Sequence, residues 1–476
     1  MSKQKTRHKK QKINFKKLVV LAFLTVLVFT LACQGNKTPE GEAPVVVVNP
    51  DSITACNADS MMNLLSPNIP HEVDATFNLA YNHIQPSVQP CFDIFSWQTF
   101  IALNWPADST GAPLASFTAT PQAQRVWEYY KEPSQVFQTN EFILPFTGPF
   151  KMQRGLKGLH QFATLSNELT MNLPASIKQA TGQPLIDKNL NFVTYEVKMN
   201  PDEVKYIEEN GLNTKEGQVG KTIFFPVGTF TAGVGAMEIK STWKILVSGI
   251  DDSTKYYHRQ AIIYVPAKQS ATGQPLYLKE TVGLVAMHII HKTNRFQTWV
   301  WSSFEHIDNA PEQASVSKAG NNFSFYNPAC TTCLIDSPPA PAKPYLWQAQ
   351  KPYAIKYATN GQYGTQVVRQ NPVYAPTDSV NKKMRAKLAS INSVFANYRL
   401  IGSQWSLKTE TYPAQQLFIP DTLANTTLET YIQNSGCTQT CHIFAKDAVD
   451  SSSDFSFLLS HARSQAYLKA LNSKHK

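Results

Sequence analysis

Between residues 222 and 304 this chain carries five segments crowded with β-branched and aromatic side chains: Thr222–Pro226, Ala236–Val247, Tyr256–Pro266, Leu278–His291 and Thr298–Phe304. Such side chains are stiff at χ1 and suit a pleated surface better than a helix, so the run predicts strands. Turn residues separate them, and several half-alternate, which is the spacing of an antiparallel meander. Helical signals surround this block, at Phe92–Phe100, at Ala123–Lys131 and at a short element with full punctuation. There Asn200 stands as cap, Pro201 at the first position, Asp202 and Glu203 in the first turn and Gly211 past the end. The expected class is α+β: an antiparallel-sheet-rich body with peripheral helices over residues 60–345, followed by a small helical C-terminal segment. No internal repeat is visible.

Prolines crowd the stretch 334–376, and residues 346–377 are expected to form a Pro-rich connection. Residues 378–476 then read as helical. From Asp378 to Leu400 the apolar residues Met384, Leu388, Ile391, Phe395 and Tyr398 keep the spacing of one helical face. Thr426-Thr427-Leu428-Glu429 has the form of a capping box, with Gly436 as a stop, and a third helix is expected from Asp454 to Leu471.

The N-terminus is of a different kind. Residues 1–17 hold Lys3, Lys5, Arg7, Lys9, Lys10, Lys12, Lys16 and Lys17 and no acid, and an apolar run from Leu18 to Leu31 leads to Ala32-Cys33. A basic region, a short apolar core and a small residue before the cut are what a signal peptidase requires, so residues 1–32 read as a signal peptide. The 14-residue run is shorter than a transmembrane helix needs, roughly 18–20 residues. Thr30-Leu31-Ala32-Cys33 resembles a lipobox with Thr in place of the usual Leu. Cys33 is therefore the expected lipidation site, with ordinary cleavage and a spare Cys33 thiol as the alternative. Residues 33–59 read as a tether that lets the body stand off the membrane. The expected location is the cell envelope, lipid-anchored at an outer membrane and facing the periplasm. The formal charge of +10 falls to +2 once the eight leader positives are removed. The basicity belongs to the leader, and the class of nucleic-acid binders is excluded.

In that oxidising compartment each of the seven cysteines needs a role. Cys56 with Cys91 and Cys330 with Cys333 are the favoured disulfides; a redox role for Cys330-Thr331-Thr332-Cys333 is disfavoured by its Pro-rich setting, away from a helix start. The informative piece is Cys437-Thr438-Gln439-Thr440-Cys441-His442. Two cysteines followed at once by histidine are the arrangement for covalent c-type haem. The thiols add to the two vinyl groups, and His442 becomes the proximal iron ligand. The usual spacing has two residues between the cysteines and this one has three, so the extra residue must bulge. The competing reading is a Cys437–Cys441 disulfide beside an incidental His442. A zinc site lacks the second Cys/His pair that four-coordination wants. No methionine follows His442, the last being Met384. The candidate distal ligands are therefore His461 or His306, the latter beside Glu305 and Asp308, whose carboxylates could orient its ring. His288 and His291 are weaker candidates, because three residues apart on a strand they face opposite ways. Trp299 and Trp301 read as core, or as an aromatic wall for a haem or an electron path.

The segments Cys437–Ala445 and Asp454–Leu459 resemble the C-terminal end of bacterial cytochrome c family lipoproteins of uncharacterised role. Ser96–Pro106, Glu238–Lys244 and Trp299–Pro311 are similar to the same group, so the likeness spans most of the chain after the leader. The resemblance implies one haem c and electron transfer, with a redox protein as partner and the membrane engaged through the lipid. Two other classes stay open. One is a haem enzyme with an open iron position and peroxide or oxygen chemistry. The other is a ligand-binding lipoprotein without haem, its Cys437 and Cys441 joined. No nucleophile triad, phosphate loop or paired-carboxylate motif points to a hydrolase, and Gly228, Gly233 and Gly235 are too irregular for a nucleotide loop.

Overall fold

A computed structural model describes residues 65–73, 85–120, 123–137, 157–160, 183–229, 231, 233–338, 345–354, 365–407 and 417–473. The leader, Cys33, the tether and Cys56 lie outside these residues. The described residues all lie in one compact unit, Pro50–Lys476.

Its elements are helix α1 (Gln85–Leu103), strands β1 (Lys157–His160) and β2 (Thr194–Met199), helix α2 (Pro201–Glu209), and strands β3 (Met237–Ile245), β4 (His258–Val265), β5 (Leu276–His291) and β6 (Val300–His306). Helix α3 (Ala375–Ser390), strands β7 (Tyr398–Leu407) and β8 (Leu417–Ile419) and helix α4 (Gln465–Ser473) follow. Among the described residues the strands make one eight-stranded sheet in the order β1-β4-β5-β6-β7-β8, with β3 also on β5 and β2 on β3. Only β1 and β4 are parallel; the other pairs are antiparallel, and the α+β expectation holds. The 16-residue β5 serves three neighbours: β4 along Leu276–Gly283, β6 along Ala286–His291 and β3 along Val282–His291.

Side chains alternate across the sheet and so build two different layers. On one face of β6, Phe304 stacks on Phe100 of α1 at 4.2 Å, and Trp97 meets the Phe304 ring edge-on at 5.0 Å. Helix α1 is apolar nearly all round, which is why it is buried rather than surface-lying. Its buried carboxylate is satisfied internally. Asp93 accepts from Thr377 Oγ1 at 2.7 Å, Gln89 Nε2 at 2.8 Å and Ser403 Oγ at 2.9 Å, joining α1, α3 and β7. On the opposite face, Trp301, Ser303 and Glu305 meet the C-terminal turns, as Asn425 Nδ2 reaching Ser303 Oγ at 3.1 Å shows. Asn200 caps α2 as expected, accepting from the Glu203 N–H, and also accepts from the Met237 N–H, tying α2 to the start of β3.

Five expected elements differ. Thr222–Pro226 is not a strand; Phe225 is buried and its N–H donates to Asp454 Oδ2. Ala123–Lys131 holds only the tight turn Val126–Tyr129. The helix beginning near Asp378 stops at Ser390, and Tyr398 opens β7, paired with His306 of β6. Phe395 and Tyr398 do pack with Phe100, but from a turn and a strand, so their helical spacing reported burial and not helix. The capping-box residues start no helix. Asn425 Oδ1 accepts from the Thr427 N–H in an Asx turn, and Thr426 Oγ1 donates to Glu305 Oε2 across to the sheet. Beyond Asp454 the chain makes the turn Leu458–His461 before α4. Among the described residues no helix is long and apolar enough to cross a membrane.

Candidate functional site

The Cys-x-x-x-Cys-His motif lies on the sheet face opposite α1. Cys437–Thr440 forms a single helical turn, broken at Cys441 (φ −127°, ψ −62°), and His442–Phe444 makes a tighter turn after it. Thr438 anchors the turn to β7, its N–H and hydroxyl donating to Gln404 Oε1 at 3.0 and 2.8 Å. Cys437 is 9% exposed, packed in a cluster with Ile290, Trp301, Leu423 and Leu459, and its S–H donates to the Leu423 carbonyl at 3.5 Å. Cys441 is half-buried. Both are free thiols in this structure. Burial pushes both thiols up from their ordinary value.

His442 is the best-defined group. Its Nδ1–H donates to the Phe455 carbonyl at 2.8 Å, and Nε2 has no hydrogen-bond partner among the described residues. The ring lies 4.5 Å from Trp301 and 4.9 Å from Phe457, centroid to centroid. Burial depresses its pKa to about 4, so the ring is neutral near pH 7 and Nε2 carries an available lone pair. Trp301 is thus both core and wall of the site.

Around the motif stands a row of charge that the sequence reading did not assemble. Lys240 of β3 pairs in register with His288 of β5, and His288 with Ser303 of β6. His288 Nε2 is 3.4 Å from Glu429 Oε2. Burial would raise the Glu429 carboxyl, but His288, the Asn425 N–H and Lys240 outweigh it and hold the carboxyl below its usual value. Burial lowers Lys240, with Glu429 opposing; its Nζ lies 5.5 Å from the centre of the Tyr195 ring, and its charge acts on Cys437, Cys441 and His442. The available signal was the alternation Glu238-Ile239-Lys240, polar residues on one face of a strand otherwise rich in apolar ones.

Other candidates are placed as follows. His306 is excluded as a distal ligand, because both ring nitrogens are committed: Nε2 donates to the Lys255 carbonyl at 3.0 Å and Nδ1 accepts from the Asp308 N–H at 3.1 Å. Its ring is stacked on Tyr256 at 4.1 Å, and Glu305 does not orient it but pairs with Arg369 and Arg399. His291 faces away from His288, as strand alternation requires, with Nε2 on the Val234 carbonyl and its ring against Phe95. His461 packs on Phe137 at 6.2 Å and is depressed to about 4 by burial. Cys330 and Cys333 form the expected disulfide, with Cα atoms 5.5 Å apart. Cys91 is also disulfide-bonded; its expected partner Cys56 lies outside the described residues. Among the described residues no three His, Cys, Asp or Glu side chains converge as a metal site. The chain matches no family model, curated protein or solved structure.

A c-type haem asks for two reachable thiols and an imidazole with a free Nε2. His442 meets this, and Cys441 is accessible. Cys437 is buried in the apolar cluster with its S–H on the Leu423 carbonyl, and would have to turn its sulfur out of that cluster to reach a vinyl group. Beside them Ile443 and Phe444 are 41% and 65% exposed, an apolar rim at the mouth of the site.

Proposed function

We propose that this is an envelope lipoprotein that carries one covalent haem c, attached through Cys437 and Cys441, and that it transfers electrons to or from a redox protein. The observation that carries the reading is His442: neutral, held between Trp301 and Phe457, with Nδ1 hydrogen-bonded and Nε2 unpartnered. A carbonyl on Nδ1 fixes the tautomer and raises the basicity of Nε2, as the outer partners of metal-bound histidines do. When bound, the haem supplies one-electron exchange. The chain's own residues orient the ring, exclude water from it with Trp301 and Phe457, and set the local field. Lys240 and Glu429, opposite charges that both act on the motif, would set the local field of a redox centre held there. The lipid on Cys33 would hold this body at the membrane surface.

The test is to export the full chain from cells with a haem-attachment system. Haem should survive denaturing electrophoresis, and changing both Cys437 and Cys441 to Ala should remove it. Wild-type protein that leaves these cells with unmodified thiols, or with a Cys437–Cys441 disulfide, overturns the proposal. In the holoprotein a low-spin ferric iron supports electron transfer, and a high-spin one points instead to the enzyme with an open position.

A further inference from the structure

Left-handed backbone is uncommon outside glycine, and for bulky side chains it is a genuine outlier. Three such residues occur together next to His442: Trp299 (φ +71°), Asp454 (φ +53°) and Phe455 (φ +70°). Aspartate tolerates this region, but tryptophan and phenylalanine do not, and a glycine at either position would adopt it without cost. Strain of this kind persists only where surrounding contacts over-determine it.

The contacts are specific. Trp299 Nε1–H donates to the Asp454 carbonyl at 2.9 Å. The Asp454 carboxylate pairs with Lys292, whose side chain is fully buried, and its Oδ2 accepts from the Phe225 N–H at 2.8 Å. Peptide Asp454–Phe455 is therefore held from three sides: by the residue just before β6, by the residue just after β5, and by the 222–226 segment. The next carbonyl along, that of Phe455, is the one that accepts from His442 Nδ1. Two residues later, Phe457 packs on the same ring. The strained peptide and the imidazole are thus consecutive links of one hydrogen-bonded chain.

We propose that Asp454–Phe455 is a strap, anchored by Trp299 and Lys292, that positions His442 by presenting a carbonyl to Nδ1 and so keeps the lone pair on Nε2. Trp299, Asp454 and Lys292 are positioning residues. The inference rests on the reading of His442 as the iron ligand, but the geometry it invokes belongs to the chain alone and can be read without haem.

The experiment uses the exported full chain made without and with a haem-attachment system, with histidine side chains labelled in ¹⁵N. In the haem-free wild type, His442 should carry its proton on Nδ1, whereas His291 and His306 should carry theirs on Nε2, since they donate from Nε2 to the Val234 and Lys255 carbonyls. Those two serve as internal markers of the fold. Trp299→Phe removes the indole donor together with part of the ring, and it should shift the His442 tautomer ratio toward Nε2–H by up to about tenfold, the worth of one hydrogen bond if the Phe455 carbonyl is lost to Nδ1 entirely. The markers should not move. Asp454→Asn keeps an acceptor for Phe225 but releases Lys292, and should act in the same direction from the other anchor. A folded variant of either kind in which His442 stays wholly on the Nδ1–H form overturns the strap. In the holoprotein both variants should raise the midpoint potential, because a less basic Nε2 stabilises ferric iron less. A purely structural role would lower stability without moving either readout. Failure of haem attachment would overturn the proposed function and leave the haem-free tautomer result standing.

Discussion

Glu305→Gln tests what pins the haem-motif side of the molecule to the sheet. Glu305 sits on β6, fully buried. Its Oε1 accepts from Arg399 at 3.0 Å; its Oε2 accepts from Arg369 and from the hydroxyl of Thr426 at 2.7 Å. Arg399 has a second acid in Glu312 at 2.8 Å, but Arg369, only 1% exposed, lies 3.8 Å from it. Glutamine keeps the shape and removes the charge, leaving two guanidiniums with one carboxylate. Breaking a buried pair from one side costs about 3–5 kcal/mol. With an unfolding entropy near 2.1 cal/mol/K per residue over the roughly 330 described residues, that is a fall in Tm of about 4–7 °C. Calorimetry or guanidinium unfolding reads it directly. The pH dependence has a definite sign. Burial raises the Glu305 carboxyl, but Arg369, Arg399 and Thr426 outweigh it and hold the carboxyl below its ordinary value. Its stabilisation is therefore present above the unfolded value of 4.5 and lost as pH falls through the lower folded value. Wild type and variant should accordingly converge in acid. Because Leu423, whose carbonyl holds the Cys437 thiol, lies in the same turns, alkylation of Cys437 should also speed up in the variant. Joint replacement of Glu305 by Leu and Arg369 by Met should cost far less than the two single changes summed. A loss below about 1 kcal/mol in Glu305→Gln, or additive double-mutant energies, would refute the account.

Two further expectations follow from other regions. Burial raises Asp93 to about 6 from 3.8, against the hydrogen bonds of Thr377, Gln89 and Ser403. A raised carboxyl contributes most below its unfolded value and loses that contribution as pH climbs through the folded one. About two units correspond to about 3 kcal/mol. Asp93→Asn should flatten the fall in denaturant stability between those two pH values; an unchanged slope would count against it. At the N-terminus, Cys33→Ser should abolish lipid labelling and release the protein from the membrane fraction, and unchanged retention would sink the anchor.

What the sequence determined was local. The β-branched runs specified β3 to β6, because alternation needs only neighbouring side chains to be read. Asn200, Pro201 and Gly211 marked α2 for the same reason: a cap and a stop act on one turn of backbone. The order Cys-Cys-His named the candidate site and the offset of three between His288 and His291 their opposite faces. What only tertiary structure decided was which partner wins a side chain with two choices. Thr426 and Glu429 have the form of a capping box, but Glu305, 121 residues upstream of Thr426, takes the hydroxyl, and the Glu429 carboxylate accepts from the Asn425 N–H at 2.9 Å, one residue before the expected cap, with His288 3.4 Å away. Phe395 and Tyr398 are spaced for a helix, yet β6 had an unpaired edge, and its backbone groups drew Tyr398–Leu407 into the sheet. His306 read in sequence as a ligand candidate oriented by Glu305 or Asp308, and is locked by two backbone groups in space. The strap beneath His442 depends on Trp299 meeting Asp454, 155 residues apart. Contacts at such separation leave no periodic trace in the chain, because nothing local constrains the residues that make them.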